Sequence, residues 1–269
     1  NYSDATSKVK EVLISLNNID FNQTNLISDT NWNYNIVFSA DGDYTIYAKS
    51  IDNANRVSST QSITISIDNV APTTTNDYNG DWNATDFTIN LNCSDATSGC
   101  NETNYKLDAG AWTLGNVVAI NTDGNHILEY LSKDNSGNIE TTNLIYALLD
   151  KTKPSTLDNY DGAWKTNDIV VTLTPSDATS GIYKTFYQID SGGYIEGTNI
   201  DFNSDGQFDL DYYSQDIAGN NASASTSFKI KIDTTGPKII RVYFDDLLKI
   251  ITDEKAECKY GFNKNFKFE

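Results

Sequence analysis

The stretch "DGQFDLDYYSQDIAGN", residues 205–220, decides the fold. It opens on Asp-Gly, a pair that suits a tight hairpin because glycine accepts positive φ angles. The residues that follow alternate between an apolar phase, Phe208, Leu210 and Tyr212, and a mostly polar phase. This two-residue period predicts a β-strand with one buried face and one solvated face. In the closing word "DIAGN", the Asp216 carboxylate can accept backbone N–H groups while the glycine turns left-handed.

Three such words recur along the chain in one register. The Asp-Gly pair occurs every 82 residues, at Asp41, Asp123 and Asp205. The second word, "DNANR", "DNSGN" or "DIAGN", starts at Asp52, Asp134 and Asp216. The third word, Asp-x-x-x-Pro, starts at Asp68, Asp150 and Asp233. A period near 82 residues is too long for a helical solenoid and fits a small β-sandwich domain.

The chain is strongly acidic. Its 37 Asp and Glu residues, against 19 Lys and Arg, give a net charge of −18. Such a surface repels nucleic acid and anionic membranes, and it suits calcium, a solvated surface or basic partners. No apolar stretch is long enough to span a membrane. We therefore expect no nucleic-acid partner and no membrane insertion in this segment.

Candidate catalytic groups are few. The one histidine, His126, falls at the inward phase where the sister repeats have Tyr44 and Phe208, so we expect a packed residue rather than a catalytic base. Asp209 and Asp211 point the same way on one predicted strand, but the second repeat does not keep both carboxylates. No convergent acid–base constellation follows, and we expect no enzyme.

These words resemble the Ig-like repeat domains of bacterial and archaeal cell-surface proteins, especially the type with "DATSGI" and "YYSQDIAGN" in residues 177–220. The resemblance covers two full units, a partial first unit and an opening segment of a fourth. It implies an all-β fold of tandem Ig-like β-sandwich domains in a linear array. Proline in the third word predicts short, semi-rigid linkers between them. The predicted domains are 1–69, which lacks its opening strands; 70–150; 151–234; and 235–269, which holds the opening strands of a further unit or a donor-strand tail.

The surface-protein resemblance also implies an oxidising context, so we expect a disulfide between Cys93 and Cys100. Closing so short a loop contributes about 2–3 kcal/mol in the chain-entropy model. The third repeat has Pro175 and Ile182 at these places, so the bridge is optional to the fold. A zinc site is the rival interpretation, disfavoured by two cysteines without a nearby histidine. Cys258 has no partner in its own segment, and its partner is left open.

The linker aspartates are candidate calcium ligands. Calcium takes about six to eight oxygen ligands and would stiffen the joints. We expect the linker and turn aspartates to converge, with the linker ligands Asp68, Asp150 and Asp233, the turn ligands Asp134 and Asp216, and Asp95 and Asp177 close by. The alternative, which the sequence favours, is that each aspartate only caps its own turn. No EF-hand-like run of ligands occurs.

Several residues are candidates for glycan attachment or glycan binding. N-x-S/T sequons fit a secreted glycoprotein, although an Asn- and Thr-rich chain also produces them by chance. Besides Asn1, the sequons are at Asn22, Asn83, Asn92, Asn101 and Asn221. Trp112 and Tyr194 follow predicted turns and would be exposed enough to bind a glycan. Trp82 and Trp164 occupy one place in two repeats and are expected to plug the cores.

The first repeat has only Asn1 and Tyr2 before its "SDATS" word, where the second repeat has residues 71–93. We favour a fragment of a longer array. The alternative is complementation, in which the tail, residues 238–262, completes the first domain of the next copy. A head-to-tail contact of this kind does not close on itself and builds a fibre.

These observations predict a structural extracellular protein of the cell surface: a filament, stalk or surface-layer component. Its partners would be copies of itself or neighbouring surface-protein domains. The rival function is an adhesin or a carbohydrate-binding accessory module of a secreted protein, which would bind glycans. Calcium is the one cofactor that the sequence suggests.

Overall fold

The computed structural model describes residues 7–28, 30–223 and 228–257. Every regular element in these ranges is a β-strand, and no helix among them is available to cross a membrane. The chain divides into two compact units, Asn1–Leu149 and Asp150–Glu269, and each is described by itself. We call residues 7–67 the first repeat, 73–149 the second repeat, 155–232 the third repeat and 239–252 the tail hairpin.

The first repeat contains one four-stranded sheet. The strands are β1 (Val9–Ser15), β2 (Asn22–Gln23), β3 (Asn25–Ser28), β4 (Asn31–Asn33), β5 (Gly42–Asp52) and β6 (Gln61–Ile67). β2, β1, β5 and β6 pair in that order, all antiparallel, while β3 and β4 form a separate ribbon. Every hydrophobic side chain described in this repeat stays at least partly exposed, and the buried residues are Ser15, Thr24 and Ser50.

The second repeat is a sandwich of two antiparallel sheets. Its strands are β7 (Thr73–Asn76), β8 (Phe87–Ser94), β9 (Cys100–Leu107), β10 (Thr113–Leu114), β11 (Val117–Ile120), β12 (Gly124–Asp134) and β13 (Asn143–Leu149). One sheet has the order β10-β9-β12-β13 and the other β11-β8-β7. The core between them is closed, and its buried residues are Ile89, Leu91, Val118, Ile120, Leu128, Tyr130, Ala147 and Leu149.

The third repeat, in the C-terminal unit, has the same two-sheet architecture. Its strands are β14 (Ser155–Asp158), β15 (Ile169–Ser176), β16 (Ile182–Ile189), β17 (Ile195–Glu196), β18 (Asn199–Phe202), β19 (Gly206–Asp216) and β20 (Phe228–Ile232). Their orders are β17-β16-β19-β20 and β14-β15-β18. On β19, Leu210 and Tyr212 are buried and Phe208 packs against the same core, as the alternation predicts. The prediction of tandem all-β sandwiches is confirmed.

The tail hairpin consists of β21 (Ile239–Asp245) and β22 (Leu247–Thr252). A tight turn joins the strands at Asp246, which has a φ angle of 56°. The opening strands of the third repeat are connected differently, because a long loop separates β14 from β15. The tail hairpin is therefore a compact two-stranded sheet, and it pairs with no other strand of the described chain.

Candidate functional site

Aspartates from three separate turns meet in the N-terminal unit, and the same arrangement occurs in the C-terminal unit. In each, one carboxylate oxygen per residue lies within 4.8 Å of the others. The local reason is the same in both. One aspartate directly follows a strand at a linker, one follows the strand that ends at the first serine of "SDATS", and one ends the long central strand. The N-terminal triad is Asp68, Asp95 and Asp134, and the C-terminal triad is Asp150, Asp177 and Asp216.

The linker residue Asp68 is connected to the "SDATS" loop of the second repeat. Its Oδ2 accepts the backbone N–H of Ser98 at 3.1 Å. In that loop, Asp95 Oδ1 accepts the N–H of Gly99 at 2.7 Å and the N–H of Ser98 at 2.9 Å. The Ser98 Oγ atom is shielded from solvent and has no hydrogen-bond partner.

Asp134 is buried and receives three hydrogen bonds from its own turn. Its Oδ1 accepts the N–H groups of Gly137 at 2.6 Å and Asn138 at 2.8 Å, and its Oδ2 accepts Asn138 Nδ2 at 2.7 Å. Burial opposes the charge, but these hydrogen bonds outweigh it and hold the pKa of the Asp134 carboxyl below its ordinary value. Asn138 Nδ2 also donates to the backbone O of Asp68 at 3.1 Å.

The C-terminal triad is more deeply buried. Asp150, with 0% of its surface exposed, accepts the N–H of Ser180 at 3.0 Å and its hydroxyl at 2.5 Å. Asp177 Oδ2 accepts the N–H groups of Thr179 at 3.0 Å and Gly181 at 2.8 Å. The other oxygen, Asp177 Oδ1, is shielded from solvent and has no hydrogen-bond partner.

An asparagine amide connects each triad's turn to the preceding linker. Asn220 Nδ2 donates to Asp216 Oδ2 at 2.8 Å and to the backbone O of Asp150 at 2.7 Å, as Asn138 does in the second repeat. The sequence prediction missed this contact. Its signal was the asparagine that ends "DNSGN" and "DIAGN", where the first repeat has Arg56.

Four of the five predicted calcium ligands fall into the triads, and the fifth, Asp233, does not. Its Oδ1 instead accepts the N–H of Thr235 at 3.2 Å. One period after Asp177 the sequence has Lys259, which lies outside the described residues. Calcium binding itself stays a prediction.

The Cys93–Cys100 disulfide is present, with the two Cα atoms 6.3 Å apart. It closes the loop that carries Asp95, between β8 and β9. The third repeat forms the matching strands β15 and β16 with Pro175 and Ile182 at these places. The predicted pairing is confirmed. Cys258 lies outside the described residues.

His126 is buried, as predicted, and both ring nitrogens are engaged. Nδ1 lies 3.0 Å from Asp108 Oδ2, and Nε2 lies 2.7 Å from the backbone O of Thr122. Burial lowers the pKa of His126, but the hydrogen bonds to Asp108 and Thr122 outweigh it and raise the pKa above its ordinary value. The hydrogen bond from His126 also holds the pKa of Asp108 below its ordinary value.

The sheet face of the first repeat that corresponds to the core of its sisters is open. A groove of about 240 Å³ lies at this face. Ile36 in the groove is partly exposed, whereas Val118 and Ile200, one and two periods later, are 1% and 2% exposed. The apolar residues that line the groove are Ile14, Leu16, Tyr34, Ile36 and Val37.

The tail hairpin has one apolar face, and that face is exposed. Val242 lies opposite Ile250, and Phe244 lies opposite Leu248. Directly opposed residues of an antiparallel pair share a face, so these four side chains form one patch. Phe244 is 78% exposed, the most of the four. The other face is mixed, because it carries Leu247 and Ile251 together with Arg241, Tyr243 and Lys249. Both cations lie over the Tyr243 ring.

The prediction that Trp82 and Trp164 fill the cores of their repeats is wrong. Trp164 is 52% exposed and Trp82 is only partly buried. Tyr78 and Tyr160, which open the same two sequence words, pack against the cores instead. Their hydroxyls each accept a backbone N–H from the closing strand at 3.0 Å, because a tyrosine can bury its ring and still satisfy a strand edge.

The candidate glycan-contact residues lie at the surface. Trp112 and Tyr194 are both exposed, as predicted, and glycan binding there stays a prediction. Among the sequons, Asn83 is half-buried and its Nδ2 donates to the backbone O of Asp81. The exposed sequon asparagines are Asn22, Asn92, Asn101 and Asn221.

No protein-family model matches the chain, and no curated protein matches its sequence. Among solved structures it is similar to fibronectin(III)-like modules of CbhA from Clostridium thermocellum, with 13% identity and a TM-score of 0.34, over 60% of this chain and 94% of that one. It is also similar to the FN1–FN3 domains of chicken CNTN1, with 11% identity and a TM-score of 0.29, over 82% of this chain and 90% of that one. Both TM-scores are below 0.5, so neither match assigns a function.

Proposed function

We propose that this chain is a structural segment of an extracellular surface protein, such as a filament, stalk or surface-layer component, whose copies join head to tail. The proposal rests on one observation: the chain has two exposed apolar faces. One is the open sheet face of the first repeat, and the other is the apolar face of the tail hairpin. The tail hairpin of one copy covers the first repeat of the next.

The second repeat provides the geometric precedent for this contact. There the sheet β11-β8-β7 covers the core face of β9, β12 and β13. The first repeat has the sheet that matches β9, β12 and β13, and its described residues form no covering sheet of that kind. Two sheets that pack face to face bury their apolar sides in a common core. The tail hairpin, a two-stranded sheet with one apolar side, has the form that such packing needs.

Charge supports the same pairing. Residues 238–269 hold seven of the chain's 19 basic residues and six acidic ones, so the tail is a near-neutral segment of a chain with net charge −18. Residues 7–69 hold seven acidic and four basic residues. Because the tail carries almost no net charge, it is not repelled by the acidic first repeat. Two segments with the acidic composition of the whole chain would repel each other.

Extracellular placement rests on the disulfide and the surface. The Cys93–Cys100 bridge is typical of proteins that fold in oxidising compartments. Four of the predicted sequon asparagines are exposed and accessible to glycosylation.

The test compares two adjacent residues of the tail hairpin. Ile250 is on the apolar face and Ile251 on the other face, and their side chains are 38% and 43% exposed. The wild-type chain should form longer oligomers as its concentration rises, in sedimentation velocity and by electron microscopy. Ile250→Asp should abolish this growth, and Ile251→Asp should retain most of it. A wild-type chain that stays monomeric at all concentrations, or equal losses in both variants, would overturn the proposal.

A further inference from the structure

Each of the two aspartate triads places three carboxylates around one point. The donors that reach them are backbone N–H groups, amides and a hydroxyl, which are dipoles rather than charges. Three like charges within 4.8 Å repel one another strongly where burial excludes solvent.

One buried oxygen without a hydrogen bond occurs in the "SDATS" loop of each complete repeat. In the C-terminal triad it is Asp177 Oδ1, and beside the N-terminal triad it is Ser98 Oγ, whose backbone N–H already binds Asp68. Across the described residues these two are the buried side-chain atoms without a partner. Buried polar atoms are nearly always paired with a protein group, a water or an ion, so the unpaired oxygen at the equivalent loop of both repeats offers a coordination position to a cation held by the triad.

Simple turn capping does not account for this arrangement. A capping aspartate needs one oxygen for its own turn, and Asp177 Oδ2 already accepts the N–H groups of Thr179 and Gly181. The turn leaves Asp177 Oδ1 without a hydrogen bond. The hydrogen bonds of Asp150 to Ser180 and of Asp216 to Asn220 do not involve this oxygen, although the three carboxylates lie within 4.8 Å of one another.

We infer that each triad is a calcium-binding site. The donor set is made of oxygens alone, from carboxylates with a serine hydroxyl beside one triad, which suits a hard divalent cation and not zinc. Calcium tolerates an irregular arrangement of its oxygen ligands, whereas magnesium requires near-ideal octahedral coordination. The bound ion offsets most of the negative charge of the triad and supplies a partner for the buried oxygen.

The inference goes beyond head-to-tail assembly and does not depend on it. In the N-terminal unit, the ion connects the linker residue Asp68 to two loops of the second repeat. In the C-terminal unit, it fixes Asp150, which begins that unit, to two loops of the third repeat. Calcium therefore sets the stiffness of the segments that lead into both complete sandwiches.

The test counts bound ions on the full chain, freed of metal with EDTA, by calorimetric titration with calcium chloride up to about 10 mM. We expect two calcium ions per chain. Saturating calcium should raise the melting temperature by about 5–10 °C, and magnesium at the same concentration should raise it less. A wild-type chain that binds no calcium would overturn the inference.

Variants separate a metal ligand from a turn cap. Asp177→Asn keeps an oxygen for the Thr179 and Gly181 N–H groups but removes the charge, so it should bind one calcium ion instead of two. Asp95→Asn should remove the other site and gives an independent measurement if the first variant folds poorly. The control is Asp209→Asn, since Asp209 pairs with Lys229 in the same unit and belongs to no triad. If Asp177→Asn and Asp95→Asn each still bind two ions, the triads are turn caps only.

Discussion

The first and second repeats share a central strand pattern but differ in what covers it. Leu128 on β12 is fully buried, whereas Ile46, its counterpart on β5, is partly exposed. The closing strands show the same contrast, because Ala147 is 0% exposed and its counterpart Ile65 is not buried. Alternation along a strand therefore determines which face is apolar. Burial of that face depends on whether a second sheet is available.

The contrast also shows which parts of a repeat form on their own. The hairpin pairing of β5 with β6 is complete over seven residue pairs, as extensive as that of β12 with β13. Residues 35–38 of the first repeat, in contrast, have no strand structure, although the matching residues 117–120 form β11. β11 pairs with β8, and the described first repeat has no strand equivalent to β8.

The largest expected effect compares the two central strands directly. Leu128→Ala should destabilise the second repeat by about 3 kcal/mol, because it leaves a cavity in a closed core. Ile46→Ala should cost the first repeat less than about 1 kcal/mol in dilute monomer, because the side chain is already partly solvated. Hydrogen exchange on β12 and β5 measures each repeat separately. Equal losses would show that the first repeat has a core as complete as that of the second.

The next effect compares the second and third repeats, which differ at one loop. Replacing Cys93 and Cys100 together by serine should lower the stability of the second repeat by about 2–3 kcal/mol, since the unfolded chain regains the entropy of an open loop. The third repeat, with Pro175 and Ile182 at these places, should keep its stability. Guanidinium unfolding of the variant, with each repeat followed by hydrogen exchange, measures both. A loss shared by both repeats would contradict local stabilisation by the bridge.

The smallest effect concerns His126 and its counterpart Phe208. The folded pKa of His126 is raised above 6.5, so the stability from its charge is present below that pH and is lost as pH rises through the folded pKa. The second repeat should therefore become slightly less stable from mildly acidic to mildly alkaline pH, and the third repeat should show no such step. NMR titration of the imidazole and thermal melts across pH measure this change. His126→Phe should remove the dependence, and a dependence that persists would assign it to another group.

The period of the sequence was sufficient to predict the sandwich fold and the inward residues of β19, whereas the disulfide was predicted from the resemblance to surface-protein domains. The fold and the inward residues depend on local alternation and on positions that recur every 82 residues. The contact between His126 and Asp108 could not be predicted, because it depends on the register that places Leu128 opposite Leu107. Which of Trp82 and Tyr78 packs against the core could also not be predicted from the sequence. Both are large aromatic residues in one word, and only the strand edge beside Tyr78 requires a hydroxyl.

The triads show the same limit at the candidate site. The sequence indicated that linker and turn aspartates lie near one another, but it favoured separate turn caps. The unpartnered Asp177 Oδ1 is what changes that preference, and it is a property of packing rather than of any sequence word. Asp233 shows the opposite case. It begins an Asp-x-x-x-Pro word like Asp68 and Asp150, but it belongs to no triad among the described residues.

The amide of Asn138 has a consequence for how such a chain evolves. It belongs to the turn of one repeat and binds the backbone of the linker that enters the same repeat, as Asn220 does in the next. Each segment of about one period would thus carry both the asparagine donor and the linker carbonyl that accepts its hydrogen bond. The bond does not depend on the identity of the neighbouring repeat. A gene of this design can gain or lose copies by recombination and change the reach of its product without any new joint having to be selected.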